Sequence, residues 1–151
     1  MESRPLPNIL ETCRNRAKLA AMTDTAPVNV LLVEDVLSEK MLTRIALDAS
    51  GVPYQLKTLQ KGTEVVPYLQ ANAAEILLLD IGLPDIDGFA VLSELMEQPY
   101  ELRTIPIVIL TGYKNFADIK KKYPLNIIAY INKPCNPQEM HDALLQARKP
   151  R

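Results

Sequence analysis

The sequence contains very few of the residues on which metal and nucleophile chemistry often depends. It has a single histidine, His141, so a histidine zinc site or a Ser-His-Asp triad has little to build on. Its two cysteines, Cys13 and Cys135, lie far apart and indicate neither a disulfide framework nor a cysteine metal site. These shortages argue against zinc enzymes, serine hydrolases and disulfide-rich folds.

Long apolar runs and an excess of one charge are also missing. No apolar stretch approaches the roughly 18 residues that a membrane span needs, and the N-terminus has no apolar core of the signal-peptide type. A formal net charge of −1 indicates no surface for nucleic acid or for a membrane. We therefore expect a cytoplasmic protein that binds neither nucleic acid nor membranes.

The length and composition fit one globular domain preceded by a short extension. The 151 residues are 48% hydrophobic and 23% charged, which is ordinary for one domain with a sizeable core. Residues 1–26 are basic and contain a weak helical stripe of mostly small side chains, so we expect a flexible or weakly helical extension. Residues 27–149 form the predicted domain, and Met22 resembles an ordinary bacterial start.

Five short apolar runs alternate with five helical patterns through this domain. The predicted strands are 28–33, 54–59, 76–80, 105–110 and 127–131. The predicted helices are 36–49, a segment from about 66, 89–98, 115–123 and a segment from 137. This alternation predicts a doubly wound α/β fold, in which a five-stranded parallel sheet of flavodoxin-like order 2-1-3-4-5 carries helices on both faces.

Helical periodicity predicts which side chains the helices bury. In the first helix we expect a buried stripe of Leu37, Met41, Leu42, Ile45, Ala46 and Ala49. In the fourth we expect Phe116, Ile119 and Tyr123 inside, with Lys120, Lys121 and Lys122 outside. In the last, Asn136 is the expected N-cap, and the expected apolar face is Met140, Ala143, Leu144 and Ala147.

Five polar side chains follow the carboxyl ends of four predicted strands. Glu34 and Asp35 follow the first strand, Asp80 ends the third, Thr111 follows the fourth and Lys133 follows the fifth. Each alone could be an ordinary loop, turn or capping residue, but parallel strands bring their carboxyl ends to one edge. Three carboxylates that close repel one another unless a cation lies among them, and Mg²⁺ is the best fit. The set predicts a phosphoryl site in which Asp80 is the nucleophile.

Four segments carry a resemblance to a known family. They are LLVEDV (31–36), LLLDIGLPDIDG (77–88), VILTG (108–112) and YINKP (130–134). With this spacing, residues 28–147 resemble the receiver domain of bacterial two-component response regulators, which has the chemotaxis-regulator fold. The resemblance implies that Asp80 is the phosphoacceptor. It also implies that Mg²⁺ is held by Glu34, Asp35, Asp80 and the backbone carbonyl of Gly82.

The resemblance also implies how the phosphoryl group is recognised and how the signal is transmitted. Lys133 matches the phosphate-binding lysine, Thr111 the switch hydroxyl and Tyr130 the switch aromatic. The Lys133-Pro134 bond matches a bond that is usually cis in the family. Gly82 and Tyr113 depart from the commonest pattern at positions that influence how fast the phosphate is lost, so the lifetime of the acyl phosphate stays open.

The implied function is that of a stand-alone receiver rather than an enzyme. A sensor histidine kinase or phosphotransfer protein would donate to Asp80. The fourth helix, fifth strand and fifth helix would then act on a downstream protein or a second copy. Two alternatives remain, namely an unphosphorylated interaction module and an aspartyl-phosphate phosphatase of the haloacid dehalogenase type. The phosphatases place an Asp-x-Asp motif after the first strand, whereas here Gly82 lies two residues after Asp80.

Overall fold

The computed structural model describes residues 26–83, 87–111 and 117–149. Its five strands are β1 (Val28–Val33), β2 (Tyr54–Leu59), β3 (Ile76–Asp80), β4 (Ile107–Thr111) and β5 (Ile127–Asn132). They form one parallel sheet in the order β2-β1-β3-β4-β5, which confirms the predicted fold class. The predictions for the extension, for Phe116 and for Tyr113 lie outside the described residues.

In the described residues, five helices of six or more residues connect or follow the strands. They are α1 (Leu37–Ala49), α2 (Val65–Ala71), α3 (Gly88–Met96), α4 (Ala117–Lys122) and α5 (Pro137–Ala147). A 3₁₀ turn at Gly62–Glu64 and a single helical turn at Tyr100–Arg103 are additional to the prediction. Pro67 lies in the first turn of α2, where proline is tolerated because its missing N–H has no helical partner.

The sheet has a separate apolar core on each face. One core contains Leu31, Val33, Leu77 and Leu79 together with side chains of α2, α3 and α4. The other contains Val30, Leu32, Leu78 and Leu110 together with Leu47 of α1 and the apolar face of α5. Because neighbouring strand residues point to opposite faces, a strand with a core on each side must be apolar at every position. The uninterrupted run of β3 follows from this burial.

The predicted buried face of α1 is wrong at every position except Ala46. Leu37, Met41 and Ile45 are 57–69% exposed, Leu42 is 48% exposed and Ala49 is also exposed. The buried side chains of α1 are Ala46, as predicted, together with Thr43 and Leu47, which were not predicted. Small and apolar residues occupy more than half of the circumference of this helix, so periodicity alone did not identify the side that packs on the sheet.

The other helical predictions are closer to the structure. The apolar face of α5 is buried as expected at Met140, Ala143, Leu144 and Ala147. Ile119 and Tyr123 are buried, while Lys120, Lys121 and Lys122 are exposed. In the described part of the chain, no helix is long and apolar enough to cross a membrane.

Candidate phosphoacceptor site

The strand register brings the predicted site residues to one edge of the sheet. Val33, the last residue of β1, is paired with Leu79, so Glu34 follows beside Asp80. Asp80 is paired with Leu110 of β4, and Thr111 with Asn132 of β5. The Lys133 N–H donates to the Thr111 carbonyl oxygen at 3.2 Å, which holds the start of the lysine loop against β4. The structure therefore places these residues at adjacent strand ends.

Lys133 is the centre of the polar cluster. Its Nζ donates to Glu34 Oε1 at 2.7 Å and to Glu39 Oε1 at 2.7 Å, and it lies 3.1 Å from Asp80 Oδ2. Glu34 is fully buried, and the side chain of Asp80 is 8% exposed. Ion pairs with so little exposure to solvent are weakly screened, so Glu34 and Lys133 lie in a site where nearby charges act strongly.

The protonation of Glu34 and Lys133 reflects this environment. Burial, followed by the nearby Asp80 carboxylate, raises the pKa of Glu34 to about 7 although Lys133 opposes the shift. Burial alone would lower the pKa of Lys133, but Glu34, Glu39 and Asp80 outweigh it and raise that pKa above its ordinary value. Lys133 is thus a permanent cation at neutral pH, whereas Glu34 needs further positive charge nearby to be fully ionised.

The loop after β3 keeps one oxygen of Asp80 in place. The Gly82 N–H donates to Asp80 Oδ1 at 3.0 Å, while Oδ2 faces Lys133. A Cβ at Gly88 would lie 2.7 Å from Ile81 Cα and 2.9 Å from the Asp80 carbonyl oxygen, so α3 begins too close to this loop for any other residue. Among the described residues, a Cβ at Gly82 would meet Asp80 Oδ1 alone, at 4.0 Å. The close packing that glycine permits here is therefore at Gly88.

The predicted metal ligands are only partly gathered. Carboxylate oxygens of Glu34, Glu39 and Asp80 lie within 4.8 Å of one another, and Asp35 is not part of that group. Asp35 Oδ1 is nevertheless buried and has no hydrogen-bond partner among the described residues. A buried carboxylate oxygen without a donor is costly unless a cation satisfies it. An all-oxygen donor set with an unsatisfied carboxylate fits Mg²⁺.

Glu39 is the member of the cluster that sequence reasoning missed. It is the third residue of α1, and its side chain is 35% exposed. No strand ends at Glu39, so the rule of polar residues at strand ends does not find it. The sequence feature that could have identified Glu39 is its position in the first turn of the helix that follows Glu34 and Asp35. Side chains in a helix lean toward its N-terminus, so the Glu39 carboxylate lies near the edge of the sheet.

The remaining predicted residues lie around this cluster. Thr111 is 2% exposed at the end of β4. Tyr130 is half-buried in β5 and packs against the core that contains α4, and burial raises the pKa of its hydroxyl. The Lys133-Pro134 bond is cis, as the resemblance implied. Cys135 Sγ lies 3.7 Å from Thr43 Oγ1 of α1, and burial raises the pKa of this thiol, so the structure supports a packing role.

Comparison with known proteins agrees with this geometry. A family model described as the response regulator receiver domain matches residues 30–145. Response regulator Rcp1 of Synechocystis sp. is 31% identical over 121 residues, which cover 76% of this chain and 82% of the relative.

Two solved structures give the same result. The phosphorylated cyanobacterial phytochrome response regulator RcpA is similar with a TM-score of 0.62 and 33% identity, covering 80% of this chain and 91% of that one. The Mn(2+)-bound form of response regulator Rcp1 has a TM-score of 0.60 and 30% identity, with the same coverage of 80% and 91%. The chain belongs to the response regulator receiver domain family.

Proposed function

We propose that this protein accepts a phosphoryl group on Asp80 from a histidine kinase or phosphotransfer protein, and that the phosphorylated surface then binds a partner. The observation that carries the proposal is the Asp80 carboxylate, buried at the carboxyl edge of the sheet and facing the Lys133 ammonium. Members of this family are signalling proteins that interact with such phosphodonors. The phosphorylated form of RcpA supports the same chemistry in a relative.

The chemistry is an in-line displacement at phosphorus. An Asp80 carboxylate oxygen attacks the phosphoryl group, the bond from phosphorus to the donor nitrogen or oxygen breaks, and the leaving group departs with that electron pair. The product is an acyl phosphate, which water later hydrolyses to the carboxylate and inorganic phosphate. Lys133 lies close enough to Asp80 to donate to the transferred oxygens.

The acidic residues prepare the site for a divalent cation. Glu34, Asp35, Asp80 and the Gly82 carbonyl would hold Mg²⁺, which supplies positive charge against the oxygens of the transferring group. Glu34 accepts the N–H groups of Asp35 and Val36 through Oε2, at 3.1 and 3.3 Å, which fixes its orientation. The Mn(2+)-bound form of Rcp1 supports a metal in the site of a relative.

The signal is proposed to leave through α4, β5 and α5. Phosphorylation adds roughly −1.5 to −2 charges, and the new oxygens attract the Thr111 hydroxyl. Thr111 ends β4, and Tyr130 lies on the neighbouring strand β5, two residues before Asn132, the partner of Thr111. We therefore expect a shift of Thr111 to change the space available to the Tyr130 ring. The altered face then binds a downstream protein or a second copy of the chain.

The test is to incubate the protein with acetyl phosphate and MgCl₂ and to measure its intact mass. We expect one added phosphoryl group on the native protein and none on Asp80→Asn. The matched control is Asp142→Asn, which removes an exposed acid from α5 and should be phosphorylated like the native protein. Absence of the adduct on the native chain would favour the unphosphorylated interaction module.

A further inference from the structure

Lys133 has more acidic partners than phosphoryl recognition requires. Its ammonium has three N–H donors, and three carboxylate oxygens lie within 3.1 Å of Nζ. Two of these belong to Glu34 and Asp80, which the proposed function already uses as metal ligand and phosphoacceptor. The third belongs to Glu39, for which the proposed function gives no role.

The three acids differ in how easily each can give up its ion pair with Lys133. Glu34 is fully buried and is fixed by two backbone N–H groups through its second oxygen. Asp80 carries the phosphoryl group itself and stays at the site. Glu39 is the most exposed of the three, at 35%, so its carboxylate can be rehydrated at the smallest cost when it turns away.

We propose that Glu39 is a positioning residue, which holds the Lys133 ammonium in the unphosphorylated protein and releases it to the phosphoryl group on Asp80. The release half of this statement rests on the proposed function, whereas the holding half does not. A phosphoryl group carries more negative charge than the carboxylate of Glu39 and offers several acceptor oxygens. It therefore competes for the ammonium, and Glu39 sets the strength of that competition.

The test compares Glu39→Gln with Glu139→Gln. Glu139 is the matched control because it is also the third residue of a helix at the same edge, is exposed, and is not among the partners of Lys133 in the described residues. Both substitutions remove one negative charge from a first helical turn. Only Glu39→Gln removes a carboxylate from Lys133.

The first measurement uses protein without metal or phosphodonor. Ammonium groups held by several acceptors exchange their protons slowly with water, so we expect an observable Lys133 ¹H–¹⁵N signal, assigned by its loss in Lys133→Arg. We expect this signal to broaden or disappear in Glu39→Gln and to persist in Glu139→Gln. Persistence in both variants would overturn the holding role.

The second measurement is the rate of phosphorylation by acetyl phosphate at saturating Mg²⁺. Without its competitor, Lys133 should donate more readily to the oxygens of the incoming phosphoryl group, and Glu39→Gln should react about two- to fivefold faster, the scale of a partly exposed ion pair. An unchanged or lower rate would overturn the release role. If the native protein accepted no phosphoryl group, the proposed function would fail, and the ammonium signal would still decide the holding role.

The third measurement separates a positioning residue from a metal ligand. Calorimetric titration with MgCl₂ should show a loss of affinity of less than about tenfold in Glu39→Gln, because only a neighbouring charge has been removed. A larger loss, on the scale seen when metal-site partners are removed, would assign Glu39 to the metal and overturn the proposal.

Discussion

Helices α1 and α5 lie together on one face of the sheet but use their apolar residues differently. The four apolar side chains that α5 turns to the core are at most 8% exposed. In α1, by contrast, Leu37, Met41, Leu42 and Ile45 are 48–69% exposed. The sheet is thus covered mainly by α5 and only along a narrow line by α1. We infer that α5 stabilises the fold, whereas much of the surface of α1 is available for other contacts.

The two helices also begin in different ways. At α5, the Asn136 side chain accepts the Gln138 and Glu139 N–H groups at 2.7 and 3.2 Å, and Pro137 is the first helical residue. At α1, Val36 is the N-cap and provides no side-chain bond. The buried Glu34 carboxylate instead binds the N–H groups just before the helix. The backbone at the start of α1 is therefore held by Glu34, a residue of the candidate site, whereas the start of α5 is held by its own N-cap, Asn136.

The largest expected effect is on stability, from truncation of the buried face of α5. Leu144 is fully buried between α5 and the sheet, so Leu144→Ala should lower the free energy of unfolding by about 2–5 kcal/mol. Urea unfolding followed by circular dichroism measures this change. The matched substitution in α1, Leu42→Ala, should cost far less because the side chain is half in solvent. Equal losses in the two variants would contradict the difference between the helices.

A smaller effect is expected from the helix caps. Asn136→Ala leaves two N–H groups of α5 without their acceptor and should cost about 1 kcal/mol. Val36→Ala removes no capping bond, so the free energy of unfolding should change by less than about 0.5 kcal/mol. The same urea titrations serve as the measurement. A cost at Val36 equal to that at Asn136 would show that the two starts do not differ as described.

The sequence predicted the sheet well because each central strand is buried on both sides. The runs at the central strands β1, β3 and β4 contain no polar residue before the strand end except Asn29, and the polar residues at the strand ends had to meet at one edge of the sheet. The cap and apolar face of α5 were predictable for a similar reason. Asn136 and Pro137 mark the start, and the apolar positions occupy a single side of the helix.

The face of α1 and the role of Glu39 were not predictable from the same rules. Periodicity identifies a buried side only when the opposite side is polar, and in α1 apolar residues extend well beyond the contact with the sheet. The contact of Glu39 with Lys133 depends on where the first turn of α1 lies relative to the end of β5. The two residues are 94 positions apart in the sequence. Such a contact becomes visible only once the helix has been placed.

The smallest expected effect per substitution comes from the exposed side of α1 itself. The triple variant Leu37→Ser, Met41→Ser and Ile45→Ser removes apolar side chains that are 57–69% exposed, so the free energy of unfolding should change by no more than about 0.5 kcal/mol per site. We also expect a chain that begins at Met22 to unfold at the same urea concentration as the full chain, because the predicted domain begins at residue 27.

A loss of several kcal/mol in the triple variant would mean that another surface covers this side of α1. If the loss disappeared in the shortened chain, that surface would be the extension. If it depended on protein concentration, it would be a second copy, and the contrast between α1 and α5 would then hold for the isolated domain alone.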